Sequence, residues 1–352
     1  TYYIGANGSG NATAGYWAGG HPSPNSNKVW KLVYATSTIS NEFDLPSSPS
    51  DAWTLNTGLA NSTKGYFCGG DWSSGSREGS KFPYATETSS AINPGMTQTR
   101  QGAYSFGPQK CGSRISPPTV TTTSSTMTQT SPAPDIGYFT GGPHLSSTDK
   151  FDFTNDTMAA GASMGELRYN HVAWGNSIDF LDAGGTIAYG GDRDSKLEKI
   201  TLSNNTRAAL PGANMGEKLK FFVGGTGNNT IGYIAGGTNP GGARSTIQKV
   251  TYATYTTNAN PGCNLDAAGY SSGAGGQGIG SPTAAYMCAG QPSGSIGEGW
   301  TKVPYATNTA TYTRVPSFNN PGAGRVEAQS TGNKDQGYVT GYNPGGFSTA
   351  GT

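Results

Sequence analysis

The chain has 352 residues, of which 33% are hydrophobic, 12% are charged and 55 are glycine, with 22 Lys and Arg against 21 Asp and Glu for a formal net charge of +1. A charge so close to zero leaves no electrostatic footprint for nucleic acid or an anionic membrane, and no apolar run approaches the roughly 20 residues that a membrane-spanning helix needs. Aromatic residues make up 11% of the chain, and this with the low net charge excludes the composition of a disordered segment and points to many short strands joined by glycine-rich turns.

Along the chain one phrase recurs: a few β-favouring residues ending in a glycine pair. It reads AGYWAGG at 14–20, KGYFCGG at 64–70, IGYFTGG at 136–142, TIAYGG at 186–191, IGYIAGG at 231–237, AAYMCAG at 284–290 and QGYVTGY at 336–342. The glycines end each strand where the chain turns with no Cβ in the way. All but the last are followed by a polar loop and a second segment of period-two alternation: 28–38, 80–89, 147–159, 196–208, 245–257 and 300–311. Such alternation marks a half-buried strand.

A strand is expected before each glycine-pair strand, at 2–5, 52–55, 103–106, 171–174, 220–223, 269–272 and 325–329. Glycine-rich stretches such as GGTGNN at 224–229 then read as hairpin turns. A short Thr-rich piece such as 206–210 is the outermost strand. Linkers with Pro and Gly, such as NPGM at 93–96 and LPGANMG at 210–216, carry the chain from the edge of one sheet to the start of the next. The segment 107–135 is rich in Ser, Thr and Pro; it reads either as a disordered loop or as an ordered excursion that pairs with a neighbouring subunit.

Repeats of about 50 residues, once about 70, built from strands with a glycine-pair mark, fit a β-propeller of the kelch kind. The fold class is therefore all-β: a single propeller domain over 1–352 with an insertion at 107–135. Seven first strands, seven glycine-pair strands and six third-and-fourth pairs give seven blades with the last incomplete. Six blades with an extra terminal hairpin is the alternative.

The side chains that carry chemistry are sparse. His21, His144 and His171 stand in different repeats with no His-x-His pair, and read as exposed loop residues. Asp192-Arg193-Asp194 lacks the later ligands of a Ca²⁺ loop and reads as a solvated turn. Glu166 and Glu217 lie in matching Met-Gly-Glu phrases and read as structural. Cys68 and Cys288 occupy one place in two repeats, too far apart for a disulfide; Cys111 and Cys263 are isolated. The Asn-x-Ser/Thr triplets at Asn7, Asn11, Asn61, Asn155, Asn204 and Asn228 are explained by chance in a chain rich in Asn and Thr. No catalytic residue, cofactor or metal site is expected. The loops after the glycine pairs gather on one propeller face and carry Trp72, Arg77, Arg193, Arg244 and Trp300. Aromatic faces and planar donors of this kind suit a sugar.

The phrase IGYFTGGPHLSSTDKFDFTNDTMA at 136–159 resembles, nearly position by position, the propeller repeats of structural proteins of marine tailed phages, notably cyanophages. It departs from typical kelch repeats in lacking their regularly spaced Tyr and Trp. The resemblance covers most of the chain outside 107–135. It implies a non-enzymatic virion component on the particle surface or otherwise extracellular: a tail-fibre or receptor-binding propeller that takes a host cell-surface polysaccharide. The second expectation is a decoration or assembly protein that contacts other virion proteins. A glycan-degrading enzyme is the third. Partners are then virion proteins and host glycan, with no nucleic acid and no membrane insertion, and a homo-oligomer forms if 107–135 pairs between copies. The start at Thr1 without a signal-peptide pattern reads as a piece of a longer polypeptide.

Overall fold

The computed structural model describes residues 7–18, 27–46, 57–69, 77–98, 104–106, 136–141, 145–168, 171–187, 192–220, 224–265, 278–281, 283–288, 299–314, 326–332, 337–342 and 350–351. The insertion 107–135, His21, His144, Cys111 and Trp72 lie outside them.

Six antiparallel sheets of four strands make six complete blades. Blade 1 holds β1 (Asn7–Gly10), β2 (Ala14–Ala18), β3 (Lys28–Val33) and β4 (Thr38–Asp44). Blade 2 holds β5 (Thr57–Ala60), β6 (Lys64–Cys68), β7 (Gly79–Pro83) and β8 (Ser90–Ala91). Blade 3 holds β9 (Tyr104–Phe106), β10 (Ile136–Thr140), β11 (Thr148–Asp152) and β12 (Thr157–Ala160). Blade 4 holds β13 (Val172–Gly175), β14 (Asp179–Ala183), β15 (Leu197–Thr201) and β16 (Thr206–Ala209). Blade 5 holds β17 (Gly224–Gly227), β18 (Ile231–Ala235), β21 (Thr246–Thr251) and β22 (Thr256–Asn264), with a small hairpin, β19 (Thr238–Asn239) and β20 (Gly242–Ala243), in the loop between its middle strands. Blade 6 holds β23 (Gly278–Gly280), β24 (Ala284–Cys288), β25 (Gly299–Pro304) and β26 (Thr311–Arg314). A further sheet has three strands, β27 (Val326–Gly332), β28 (Gly337–Tyr342) and β29 (Ala350–Gly351). Among the described residues there is no α-helix, only a 3₁₀ turn at Pro211–Ala213. The chain is thus an all-β propeller with six complete four-stranded blades, where seven with an incomplete last one were expected from the phrase count.

The first strands differ most from expectation. In blades 1, 2, 5 and 6 they are NGSG, TGLA, GGTG and GIG, later in the chain than expected and in stretches whose glycines read as turns. Crowding at the axis is the reason. A Cβ added to Gly58 would stand 2.2 Å from the carbonyl oxygen of Gly8 in the preceding blade's first strand. Glycine there marks a close approach of two backbones, not a bend. The second strand of blade 4 is also a correction: it is Asp179–Ala183, ended by Gly184 and Gly185, and not the TIAYGG phrase. Its Leu181 pairs with Lys199 in the register that Tyr138 and Lys150 hold in blade 3.

The second strands are buried on both faces, because each is the middle of a blade covered by neighbours on both sides. The third strands alternate: in β11 Asp149 and Phe151 are buried while Lys150 and Asp152 are half-exposed. The Tyr-Ala-Thr phrase that follows is the turn to the fourth strand, not more strand. Its residue at positive φ recurs in every complete blade: Ser37, Glu87, Asp156, Asn205, Tyr255 and Asn308, at φ between 48 and 55°. Threonine hydroxyls on either side bond each other, as between Thr36 and Thr38 at 2.7 Å and between Thr307 and Thr309 at 2.9 Å.

In blades 2 to 6 that turn residue ties the blade to the one before. The Tyr16 hydroxyl donates to Glu87 at 2.7 Å, Tyr66 to Asp156 at 2.7 Å, Tyr138 to Asn205 at 3.2 Å and Tyr233 to Asn308 at 2.6 Å. Blade 4 has Leu181 where these have Tyr, and there the tie is reversed: Tyr255 of the blade 5 turn donates to Asp179 of β14. The Asn-x-Thr triplets have a structural cause as well. Asn11 Oδ1 accepts from the Thr13 and Ala14 amides, Asn61 from Thr63 and Lys64 and Asn228 from Thr230 and Ile231. These three stand in side-chain-capped hairpin turns, a structural cause that the reading as chance left out.

The linkers are anchored in one way. Leu45, Met96, Met164, Met215 and Leu265 are buried, and each amide donates to the carbonyl oxygen of Asn27, Arg77, Ser146, Ser195 or Ser245 respectively. The next amide, of Thr97, Gly165 or Gly216, donates to Asp149, Glu198 or Gln248 in the third strand. In the repeated Met-Gly-Glu phrase the Met and Gly thus anchor the linker, while Glu166 pairs with Lys196 and Glu217 with Arg244.

Candidate binding face

In this topology the turns inside each hairpin lie on one face of the ring. The loops after the second strands, and the linkers between blades, lie on the other. The turn face repeats from blade to blade. On the loop face the linker anchors repeat, but the junction of blades 3 and 4 and that of blades 4 and 5 differ in chemistry.

At the junction of blades 3 and 4 the loop side is charged and buried. Arg168 follows Met164 in the linker and is 1% exposed. Its Nη1 donates to the Gly184 carbonyl at 2.7 Å and stands 3.1 Å from Asp194. Its Nε is 3.5 Å from Asp182 and its Nη2 3.9 Å from Glu198, which also pairs with Arg207. His171 is buried with Nε2 at 3.0 Å from the Thr140 hydroxyl and 3.1 Å from Asp182. So His171 is a core residue, not the exposed loop residue expected. Asp194 is likewise buried, so the Asp-Arg-Asp turn is exposed at Asp192, half-buried at Arg193 and closed to solvent at Asp194. Gly141 is required at this junction. It holds φ +68°, and a Cβ on it would stand 2.2 Å from His171 Cε1. The carboxylates converge on a guanidinium that already fills the space between them. Among the described residues no group of three His, Cys, Asp or Glu could hold a metal ion. Cys68 is free and buried; burial pushes its thiol up, which keeps it out of thiolate chemistry at neutral pH.

The expected binding residues have separate fates. Trp72 lies outside the described residues, and of Trp300 only the backbone, in β25, is described. Arg77 is exposed but its Nε donates to the Met96 carbonyl at 2.8 Å, so it secures its own linker. Arg244 pairs with Glu217 at 2.7 Å, and Asn239 of the β19–β20 hairpin donates to the same carboxylate oxygen at 2.7 Å. Arg193 is half-buried with its Nε unbonded among the described residues. The structure thus brings Arg193 and Arg244 to neighbouring blades and keeps Arg77 apart, in blade 2.

Between Arg193 and Arg244 runs a short ladder of backbone bridges that the sequence did not signal. Thr186 pairs with Arg193, Asp194 with Leu219 and Lys220 with Thr238. It joins the blade 4 loop, the linker and the blade 5 hairpin into one surface, which adds Lys218 and Lys220 to the expected arginines.

No family model matches this chain and no curated protein matches it. Among solved structures it is similar to one described as the structure of YjhT, with a TM-score of 0.61 and 11% identity over 89% of this chain and 98% of that one. At that identity the likeness shows the propeller fold alone.

Proposed function

We propose that the chain is a non-enzymatic binding propeller of a virion, displayed on the particle surface as part of a tail fibre or receptor-binding protein, and that its loop face takes a host cell-surface polysaccharide. One observation carries this reading. The turn face is built from the same capped turns and inter-blade ties in blade after blade, whereas the loop side changes its chemistry between two neighbouring junctions, from a buried charge cluster at blades 3 and 4 to a bridged basic surface at blades 4 and 5. A surface that varies on a scaffold that repeats is where recognition resides. The resemblance of the 136–159 phrase to phage propeller repeats supports the virion setting. We also count the three-stranded sheet as a seventh, incomplete blade, since β27 lies beside β23 on one side and beside β1 and β2 on the other.

A glycan array probed with the full chain tests the binding reading. Retention on a defined set of bacterial surface polysaccharides is the expected result. An empty array, together with an electron cryo-microscopy map of the particle in which the loop face is buried against other virion proteins, would favour the decoration or assembly role instead. Release of reducing ends from a host polysaccharide would overturn the non-enzymatic reading.

A further inference from the structure

The residue three places after the lysine of each third strand lies against the first strand of the blade before. In blade 2 the Tyr84 hydroxyl is 3.4 Å from Ser9 Oγ of β1. In blade 5 Tyr252 meets Trp174 of β13 over Gly232, where a Cβ would stand 2.4 Å from Trp174 Nε1 and 2.6 Å from the Tyr252 hydroxyl. In blade 6 Tyr305 meets Thr226 of β17 over Gly280, where a Cβ would stand 2.8 Å from Thr226 Oγ1 and 3.4 Å from the Tyr305 hydroxyl. The Thr226 and Tyr305 oxygens are buried and bond no other group among the described residues, which is costly unless each serves the other. Where the first strand offers no polar atom, the hydroxyl is missing as well. Leu59 of β5 is buried with Phe153 of blade 3. Phe106 holds the same register place in β9, and the residue that follows it in blade 4 is Leu202, also buried.

Blade 1 carries Tyr34 at this position, 2% exposed. It is buried with Trp17 and Leu32 in a cluster separate from the one that blade 1 shares with blade 2. Two first strands compete to precede it. At the matching register place β23 has Ile279, opposite Tyr286, and β27 has Thr331, opposite Tyr338. Only Thr331 obeys the pairing of polar residue with tyrosine.

We propose that these paired positions form a matching device that decides which blade packs on which, and that through Tyr34 and Thr331 it seals β27 against blade 1. The inference rests on the reading of the three-stranded sheet as an incomplete seventh blade, and names the contact that closes the ring. A tyrosine hydroxyl buried against an apolar strand has no partner, so a blade offered the wrong neighbour is disfavoured with no loss of apolar area. Repeats of similar sequence are thereby kept in order as the chain folds.

Chemical denaturation of the full chain with double-mutant cycles tests this. Thr226→Val and Tyr305→Phe are each expected to raise the unfolding constant about fivefold by orphaning the other partner, and together by no more than either alone. Phe153→Tyr, which sets a hydroxyl against Leu59, is expected to raise it about tenfold, and Leu59→Thr should cost less in that variant than in the wild type. Tyr34→Phe with Thr331→Val is expected to repeat the non-additive pattern. Tyr34→Phe with Ile279→Thr is expected to be additive. Additive effects at Thr226 and Tyr305, or a harmless Phe153→Tyr, would overturn the matching device and leave the blade count as it stands. Additivity at Tyr34 and Thr331, alongside coupling at Thr226 and Tyr305, would overturn the closure alone. Coupling of Tyr34 to Ile279 in place of Thr331 would mean that blade 6 closes onto blade 1, and would sink the seventh blade as well.

Discussion

Two neighbouring junctions solve the same packing problem with opposite chemistry. Four residues after the buried linker methionine, the junction of blades 3 and 4 places Arg168, and that of blades 4 and 5 places Leu219. Leu219 joins Val172, Trp174, Leu181, Leu197, Met215, Ile234 and Val250 in one apolar cluster. Arg168 enters a pocket of Asp182, Asp194 and Glu198 beside His171. Apolar burial is tolerant of small shifts, since it depends on area and not on direction. A buried guanidinium is not: its charge is costly unless each carboxylate keeps its place. The comparison teaches that the blade 3 and 4 junction is fixed by geometry and the next one by volume.

Removing the cation should separate the two most sharply. Arg168→Met leaves buried carboxylates without a counter-charge, which costs about 3–5 kcal/mol, and chemical denaturation should show it directly. Replacing Arg168, Asp182 and Asp194 together by apolar residues of similar size should recover most of that loss; failure to recover would mean that the network does more than balance its own charges. Leu219→Ala should cost about 2–5 kcal/mol through the cavity it leaves, with no rescue by a change of charge nearby. Gly141→Ala tests the tightness of the polar junction, since both the left-handed backbone and the overlap with His171 oppose it; about 2–3 kcal/mol is expected.

How far the sequence foretold this depends on what each signal encodes. The glycine-pair strands and the alternating third strands were legible because both report one residue's own surroundings: a turn, or one face in and one out. The first strands were not, because NGSG and GGTG are strands only by virtue of the ring that crowds them, and that crowding is a property of the assembled blades. Leu181 hid β14 because the Tyr it replaces was the mark being sought; the Gly184-Gly185 pair after it was the signal that could have found it. The Asn-x-Thr triplets at Asn11, Asn61 and Asn228 were visible but assigned to chance, although each stands at the same spacing before a Gly-Tyr pair, a place that reads as a hairpin cap. Of the expected binding residues, Arg193 and Arg244 lie in loops after second strands of neighbouring blades, where loop position alone put them. The bridges that join the blade 4 loop to the linker and to the blade 5 hairpin were out of reach, because they pair segments far apart in sequence.

The turn face offers the smallest and most specific test, because there the polar tie is shared by nearly all blades and only its charge varies. Burial alone would push Asp156 up, but hydrogen bonds from Lys64, Tyr66 and Lys81 outweigh it and hold the carboxyl below its ordinary value of 3.8. A depressed folded-state value means that the unfolded chain takes up the proton first. The stabilisation is then fully present above the unfolded value of about 4 and is lost as pH falls below it through the folded value. Asn205 and Asn308, which hold the same place in blades 4 and 6, make the tie without a titrating group. Asp156→Asn should therefore cost about 1–2 kcal/mol at neutral pH, the value of a charge-assisted hydrogen bond exchanged for a neutral one, and less as the pH falls below 4. A denaturation series from pH 6 to pH 2 measures this as the convergence of the variant's stability on that of the wild type. A gap that stayed constant across the series would show that Asp156 contributes shape and not charge, and that the blade 2 and 3 tie differs from its neutral counterparts in nothing but its side-chain name.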